Sequence, residues 1–341
     1  MRIWVVTKTF ALALAGAGLF QLLGLPLPFL FGPMATCLLA ALAGVRLEGV
    51  APLSDAARAV LGIAVGASVT PALLGQVPTM AVTLALIPAY VAVIGLVGVP
   101  FFHRLCGLDR VTSYYAAMPG GFQDMVYFGQ QAGGDVRALA LIHATRVLII
   151  VTLVPVLLVG VGGLSLDAPT GVPAAELPAG QLALMVAVGL AGWKGGARLG
   201  LFGPAILGPL ILAALLTLAG VLQHRPPAEA IMAAQFFIGT GIGLNYRGVT
   251  LAELRRDVAA GAAFALLLAV LAGAFTLLAR ALGGAAWLEL FLSFAPGGQA
   301  EMAVLALVAG ADLGFVVAHH LGRILLVIAG APVAARWALR R

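Results

Sequence analysis

The stretch MPGGFQDMVYFGQQAGGDVRALALIHATRVLIIVTLVP, Met118 to Pro155, occurs twice in the chain. Displaced by 177 positions it falls without a gap on APGGQAEMAVLALVAGADLGFVVAHHLGRILLVIAGAP, Ala295 to Pro332. Eleven residues are identical, among them Pro119-Gly120-Gly121 on Pro296-Gly297-Gly298, Met125 on Met302, Asp135 on Asp312, His143 on His320, Arg146 on Arg323 and Pro155 on Pro332. Asp124 meets Glu301, so a carboxylate is kept as well. Apolar coincidences mean little in a hydrophobic chain, whereas coincident Pro, Asp, His and Arg at one offset mark an internal duplication.

Composition sets the surroundings of that pair. The chain is 62% hydrophobic and 9% charged, with a mean hydropathy of +1.10, far from the roughly 45–50% apolar and 25% charged residues of a soluble domain. This is the composition of a polytopic membrane protein. Of the nineteen basic residues, nine fall in short loops or tails: Arg2, Arg46, Arg104, Arg110, Arg247, Arg255, Arg256, Arg340 and Arg341. The net charge of +6 is therefore read as orientation in a bilayer and not as a nucleic-acid footprint. Cys37 and Cys106 offer no disulfide framework and no metal spacing, and are read as ordinary packed thiols.

In chain order, residues 5 to 24 read as a retained first span. Leu25 to Gly44 forms a second, whose Pro26, Pro28 and Pro33 predict an irregular start near Pro33. Its signature returns as Leu201-Phe-Gly-Pro204-Ala-Ile-Leu-Gly208-Pro209. Ala56 to Leu74 is a third span, in which Gly62-xxx-Gly66 is matched by Gly239-xxx-Gly243; small residues four apart let helices approach closely in lipid. Pro78 to Phe102 and Val258 to Leu282 form a further matched pair. Val111 to Gln131 carries Pro-Gly-Gly in its middle, and such a break is tolerated at membrane depth only where it is buried in protein or faces water. A broken or re-entrant helix is expected there. From Asp135 to about Val161 a long helix resumes, with Asp135, His143 and Arg146 on one face.

The expected fold class is thus an all-α integral membrane protein: a first repeat over 1–162, a linker over 163–180 and a second repeat over 181–341. The linker carries Asp167 and Glu176 and no basic residue, which suits the non-cytoplasmic side. If each Pro-Gly-Gly segment does not count as a full crossing, each half has five spans, about ten in all, and the halves are inverted. That arrangement places Arg2, Arg46, Arg58, Arg104, Arg110, Lys194, Arg198, the Arg247 to Arg256 cluster and Arg336 to Arg341 inside, leaving Arg225 and Arg280 as exceptions. A parallel arrangement of six plus six is the alternative.

Paired Pro-Gly-Gly-x-x-[Asp/Glu]-Met segments, each followed by Gly-x-Asp-x₇-His-x-x-Arg, with Leu-Gly-Pro at the head of an earlier helix, resemble the AbrB-type duplicated membrane proteins. The resemblance covers nearly the whole chain, and the second copy is the closer; the first has Asp124 where the pattern prefers Glu. It implies an architecture and a family whose labels are ammonia monooxygenase or regulator of gene expression. The family name is shared with small soluble DNA-binding proteins, whose module has no counterpart here.

Catalysis is not expected. An oxygenase needs clustered imidazole or carboxylate ligands, and the chain has only His103, His143, His224, His319 and His320, of which the last two point about 100 degrees apart on a helix. No metal and no cofactor is implied. Direct nucleic-acid binding is not expected either, because the longest hydrophilic stretch is about a dozen residues and a groove-reading module needs more. Secondary transport fits best: inverted repeats with broken helices are the architecture of many carriers, and ionisable residues inside spans mark pathways. The candidate binding residues for substrate or ion are Asp124, Glu301, Arg146, Arg323, His143 and His320, with Pro119, Gly120, Gly121, Pro296, Gly297 and Gly298 as the breaks and Asp135 and Asp312 as helix starts. Two arginines and two exposed helix ends suit a small, carboxylate-like anion, with a proton carried on Glu301 or Asp124; a sodium ion is the other coupling candidate. The expected setting is a bacterial cytoplasmic (inner) membrane with both termini inside, the partners are lipid and a small solute, and pairing into a homodimer is left open. A membrane sensor acting indirectly on gene expression is the alternative function.

Overall fold

The computed structural model describes residues 2–160, 162–166, 171–201, 203–283 and 285–338. Asp167, Arg340 and Arg341, which entered the charge argument above, lie outside them. All the regular structure described is helical. The first half contains α1 (Arg2–Leu22), α2 (Pro28–Leu42), α3 (Ala51–Gly66), α4 (Pro71–Pro100, continued by a π-helical turn Phe101–Leu105), α5 (Arg110–Ala117), α6 (Phe122–Gln131) and α7 (Val136–Gly160). The second half contains α8 (Ala179–Arg198), α9 (Pro204–Leu218), α10 (Ala228–Leu244), α11 (Leu251–Glu253), a π-helical turn Leu254–Val258, α12 (Ala259–Ala281), α13 (Trp287–Phe294), α14 (Gln299–Val308) and α15 (Leu313–Ala338).

The duplication seen in the residues extends to the elements. Helices α8, α10, α13, α14 and α15 each begin 177 positions after α1, α3, α5, α6 and α7, and α9 begins 176 after α2. Even the capping geometry repeats: α2 is entered through Leu27 at φ 50°, ψ 52° and α9 through Gly203 at φ 53°, ψ 51°. A proline follows each of these left-handed residues at the first helical position, where its missing N–H would have had no partner anyway.

The chain divides into two units, each drawing on both halves, although Ala303–Gly314 falls in the first and its counterpart 126–137 in the second. The first comprises Met1–Gly75, Pro155–Val249 and Ala303–Gly314. Here α1 packs on α2 and α8 on α9, while α3 packs on α9 and α10 on α2. Glycine makes both kinds of contact possible. A Cβ at Gly32 would stand 2.6 Å from Ala17 Cα, and one at Gly192 2.6 Å from Pro209 Cα. At the exchanged crossings, Gly62 and Gly66 lie against the Ile206 and Leu210 carbonyls, and Gly239 and Gly243 against those of Leu30 and Met34. The pattern is that of a two-fold exchange between halves.

The second unit comprises Gln76–Val154, Thr250–Met302 and Phe315–Arg341. Its apolar interior is rich in aromatic contacts, with Tyr90 4.9 Å from Phe275 and 5.3 Å from Phe294, and Phe102 4.7 Å from Phe264. Both Pro-Gly-Gly segments, and every His and Arg of the repeated motif, belong to this unit.

Five of the described helical stretches are long and apolar enough to cross a membrane: Arg2–Leu22, Met80–Leu105, Val136–Gly160, Leu251–Ala281 and Leu313–Arg336. The helix boundaries correct several expectations. The second helix starts at Pro28 and not near Pro33, which sits inside it; one internal proline removes one ladder bond, while Pro28 supplies a pre-set first turn. The third begins at Ala51, not Ala56, and ends at Gly66, not Leu74. Pro52 lies in its first turn, and the next helix likewise begins at a proline, Pro71.

Candidate functional site

The first break is built from the residues outward. Asp109 caps α5, accepting from the Thr112 amide at 2.9 Å. The helix runs only to Ala117, because Met118 precedes a proline and is held extended at φ −65°, ψ 130°, the conformation that the Pro ring imposes on its predecessor. Gly121 then enters α6 from extended geometry. The second break repeats this: α13 stops at Phe294, Ala295 is extended at φ −58°, ψ 124°, and α14 starts at Gln299.

Each break frees carbonyl groups at the end of its first half-helix, and buried carbonyls need donors. The repeated His and Arg supply them. His143 Nε2 faces Tyr115 O at 3.1 Å, and Arg146 donates to Met118 O at 3.1 Å and Gly120 O at 2.8 Å. In the second copy His320 Nε2 faces Leu292 O at 2.8 Å and Arg323 donates to Ala295 O at 3.2 Å. The copies then diverge: the second nitrogen of Arg323 goes to His320 Nδ1, at 3.2 Å. Arginine has no acceptor and a carbonyl no donor, so His320 carries its proton on Nε2 and its bare nitrogen on Nδ1. All four side chains are buried.

The spacing of Pro-Gly-Gly-x-x-[Asp/Glu]-Met also acquires a cause. A Cβ on Gly120 would stand 2.7 Å from Met125 Cε and 3.0 Å from Val327 Cγ1; on Gly297 it would stand 2.7 Å from Met302 Cγ and 3.3 Å from Ile150 Cγ2. The first glycine thus makes room for the methionine five residues on, and each break lies against the other half's long helix. The second glycine, Gly121 or Gly298, makes room for the carboxylate of Asp124 or Glu301, which folds back over the first turn of its own helix. That is where a negative group complements the helix dipole.

The structure therefore brings Arg146 and Arg323 into each other's field, each beside its histidine. Among the described residues neither guanidinium has an acidic group at ion-pair distance, and Nε of each is buried without a hydrogen-bond partner there. His143 Nδ1, Ser293 Oγ and Gln299 Nε2 are likewise buried and unmatched. Asp124 and Glu301 are half-buried at the N-terminal turns. Asp135 and Asp312 immediately precede α7 and α15. Asp135 caps α7, accepting from the Arg137 and Ala138 amides at 3.0 Å each, and Asp312 is exposed. Among the described residues no group of three or more His, Cys, Asp or Glu is placed to hold a metal ion. An apolar cavity of about 640 Å³ borders the first break, lined by residues such as Gly95, Tyr114, Met118 and Val327; its lining suits hydrocarbon and not an ion.

Sequence reasoning passed over four participants. Tyr90 donates to Phe294 O at 2.7 Å, and its hydroxyl lies in the field of both arginines. Ser293 and Gln299 flank the second break, and their polarity in an apolar run was the available signal. Thr83 contacts His319, 236 positions away, and nothing local to either residue announces that pairing.

These features define a class: an all-helical protein with membrane-spanning character whose duplicated broken helices enclose two buried cations. The comparison with known proteins narrows it. Residues 29–339 match the family model AbrB, described as transition state regulatory protein AbrB, and the chain belongs to that family. It is 26% identical over 331 residues to the Escherichia coli (strain K12) protein described as a candidate regulator AbrB, covering 93% of this chain and 92% of that one. It is 29% identical over 248 residues to the uncharacterized Bacillus subtilis (strain 168) protein YhjN, covering 67% of this chain and 64% of the relative. No solved structure matches.

Proposed function

We propose that the protein is a secondary transporter of a small anion, embedded in the bacterial inner membrane as two inverted repeats of five crossings, with the repeats at 1–162 and 181–341, the linker outside and both termini in the cytoplasm. The observation that carries the reading is the pair of buried guanidiniums, Arg146 and Arg323, with no carboxylate at ion-pair distance among the described residues. Burying an unpaired charge costs several kcal/mol, a cost of about the size that an anionic ligand would offset. Polar atoms beside the breaks point the same way: Arg146 Nε, Arg323 Nε and Gln299 Nε2 are donors, Ser293 Oγ can donate, and His143 Nδ1 is an acceptor. A site rich in donors selects a ligand rich in acceptors, and a carboxylate matches guanidinium geometry.

The exchanged contacts support alternating access, since two equivalent halves can rock about a shared site. No enzymatic step, cofactor or nucleic-acid contact is part of this proposal, and a homodimer is compatible with it. A second reading, a membrane sensor, rests on the description of the Escherichia coli relative as a regulator. Uptake of organic anions, amino acids and amines into proteoliposomes, with and without proton or sodium gradients, separates the two. Transport of an anion that is lost in Arg146→Ala and Arg323→Ala supports the proposal; binding without uptake assigns the chain to sensing, and uptake of amines alone refutes the anion reading.

A further inference from the structure

His319 takes no part in the repeated cluster, and its surroundings are chemically unusual. It is buried on α15, with Nδ1 2.9 Å from Phe315 O and Nε2 2.8 Å from the hydroxyl of Thr83 on α4. Thr83 is buried too, and its hydroxyl oxygen lies 2.9 Å from Met80 O. Facing a carbonyl, Nδ1 must carry a proton. Nε2 faces an oxygen that can both donate and accept, which leaves two complete arrangements. In the first the ring is neutral and the Thr83 hydroxyl points its hydrogen at the bare Nε2. In the second Nε2 is protonated and donates to Thr83, and the hydroxyl turns its hydrogen to Met80 O. Rotation of one hydroxyl converts one into the other with no heavy atom displaced.

We infer that His319 is a reversible proton-binding site, with the Thr83 hydroxyl as its rotor, and that the occupancy of Arg323 governs whether the proton is held. The contrast with the other buried imidazoles is geometric. His143 and His320 point Nε2 at carbonyls, and His320 Nδ1 accepts from Arg323, so a further proton on His320 would cost it that bond. The first half has no equivalent site, because the positions matching His319 and Thr83 are Ile142 and Ala260.

The groups facing His319 set its response. From its own helix these are Arg323 and His320, whose fields overlap its own; α4 contributes Thr83, and α13 contributes the apolar ring of Phe294 at 6.4 Å. Arg323 is the cation among them, and it repels a second positive charge. An anion bound to Arg323 would cancel that repulsion, so proton and anion would be taken up together and released together. In this use the inference rests on the transport reading; the proton site itself does not.

The test uses the full chain in lipid nanodiscs with ¹⁵N-labelled histidine, read by NMR and assigned with His319→Gln. The neutral His319 ring is expected as the Nδ1–H tautomer, with His143 and His320 as Nε2–H, and His319 is expected to convert to the doubly protonated form as the pH is lowered through and below the ordinary imidazole range of about 5 to 8. Thr83→Val removes the oxygen that accepts from the charged ring, and the conversion should move down by about one pH unit, a roughly tenfold loss of proton affinity. Arg323→Gln removes the repelling charge and should move it up. A His319 ring that keeps one neutral tautomer throughout this lowering of pH, or a midpoint indifferent to Thr83→Val, overturns the inference. Absence of anion uptake together with normal titration leaves the site standing and removes the transport reading; anion uptake without titration does the reverse.

Discussion

Three glycines within five residues of α10 should respond to the same substitution with opposite signs. Gly239 and Gly243 lie at the crossing with α2. A Cβ at 243 would stand 2.7 Å from Cys37 Cβ, 2.8 Å from Leu38 N and 2.8 Å from Met34 O, and one at 239 would stand 3.0 Å from the Leu30 carbonyl carbon, with its oxygen nearer still. Most of these neighbours are backbone, which can yield only if whole helices separate. Overpacking of this kind costs about 1–3 kcal/mol, while Gly→Ala inside a helix returns about 0.5–1 kcal/mol, so Gly239→Ala and Gly243→Ala should each lose about 1–2 kcal/mol. Gly241, between them, meets nothing within 4 Å, and Gly241→Ala should gain about 0.5–1 kcal/mol. Reaction of buried Cys37 with a fluorogenic thiol reagent during heating, in a Cys106→Ser background, reports unfolding directly. The shifts should be about 2 °C or less per kcal/mol for a chain of this size. A common direction for all three variants would refute the crossing described here, and destabilisation by Gly241→Ala alone would reverse it.

Further outcomes are expected. Ala174→Cys in a Cys-free background should react with an impermeant reagent from the outer face, and reaction only from the cytoplasmic face would restore parallel repeats. Asp135→Ala should cost about 1 kcal/mol through loss of the α7 cap while leaving anion affinity unchanged; an affinity loss without a stability loss would move Asp135 into the binding site. Gly297→Leu should abolish function while leucine in the neighbouring apolar run does not, because its Cβ would collide with Met302; equal effects would remove the special standing of the break. Glu301→Gln should lose about 0.3–1 kcal/mol of helix-dipole complementarity and keep the pH profile of anion uptake, whereas His319→Gln should flatten it. The opposite pattern would put the coupled proton on the carboxylate.

The duplication was legible because it is written in residues that lipid penalises. Pro, Gly, Asp, His and Arg coincide at one offset, and each coincidence reports a backbone break or a donor that serves it. The helix starts were less legible: Leu27 gives no local sign of left-handed geometry, while Gly203 does, and only their superposition shows that the two serve one purpose. Asp124 and Arg146 read as members of one binding site, yet Arg146 turns to the Met118 and Gly120 carbonyls while Asp124 turns to its own helix. Sequence spacing places side chains on a face and leaves open which of two nearby groups each one serves. His319 was weighed only as a metal ligand, and its partner Thr83 lies in an apolar run with no periodicity to single it out.

The exchanged crossings carry a consequence for how such a chain is made and how it arose. In the first unit α3 has its principal glycine contacts on α9, a helix translated some 140 residues later, and α2 waits likewise for α10. A nascent first half therefore emerges with two grooved helix faces uncovered, and lipid must cover them until the second half arrives. A half-length ancestor could have covered the same faces only with another copy of itself, so gene fusion would have turned an encounter between two molecules into a fold-back within one, freeing each half to drift toward its own chemistry.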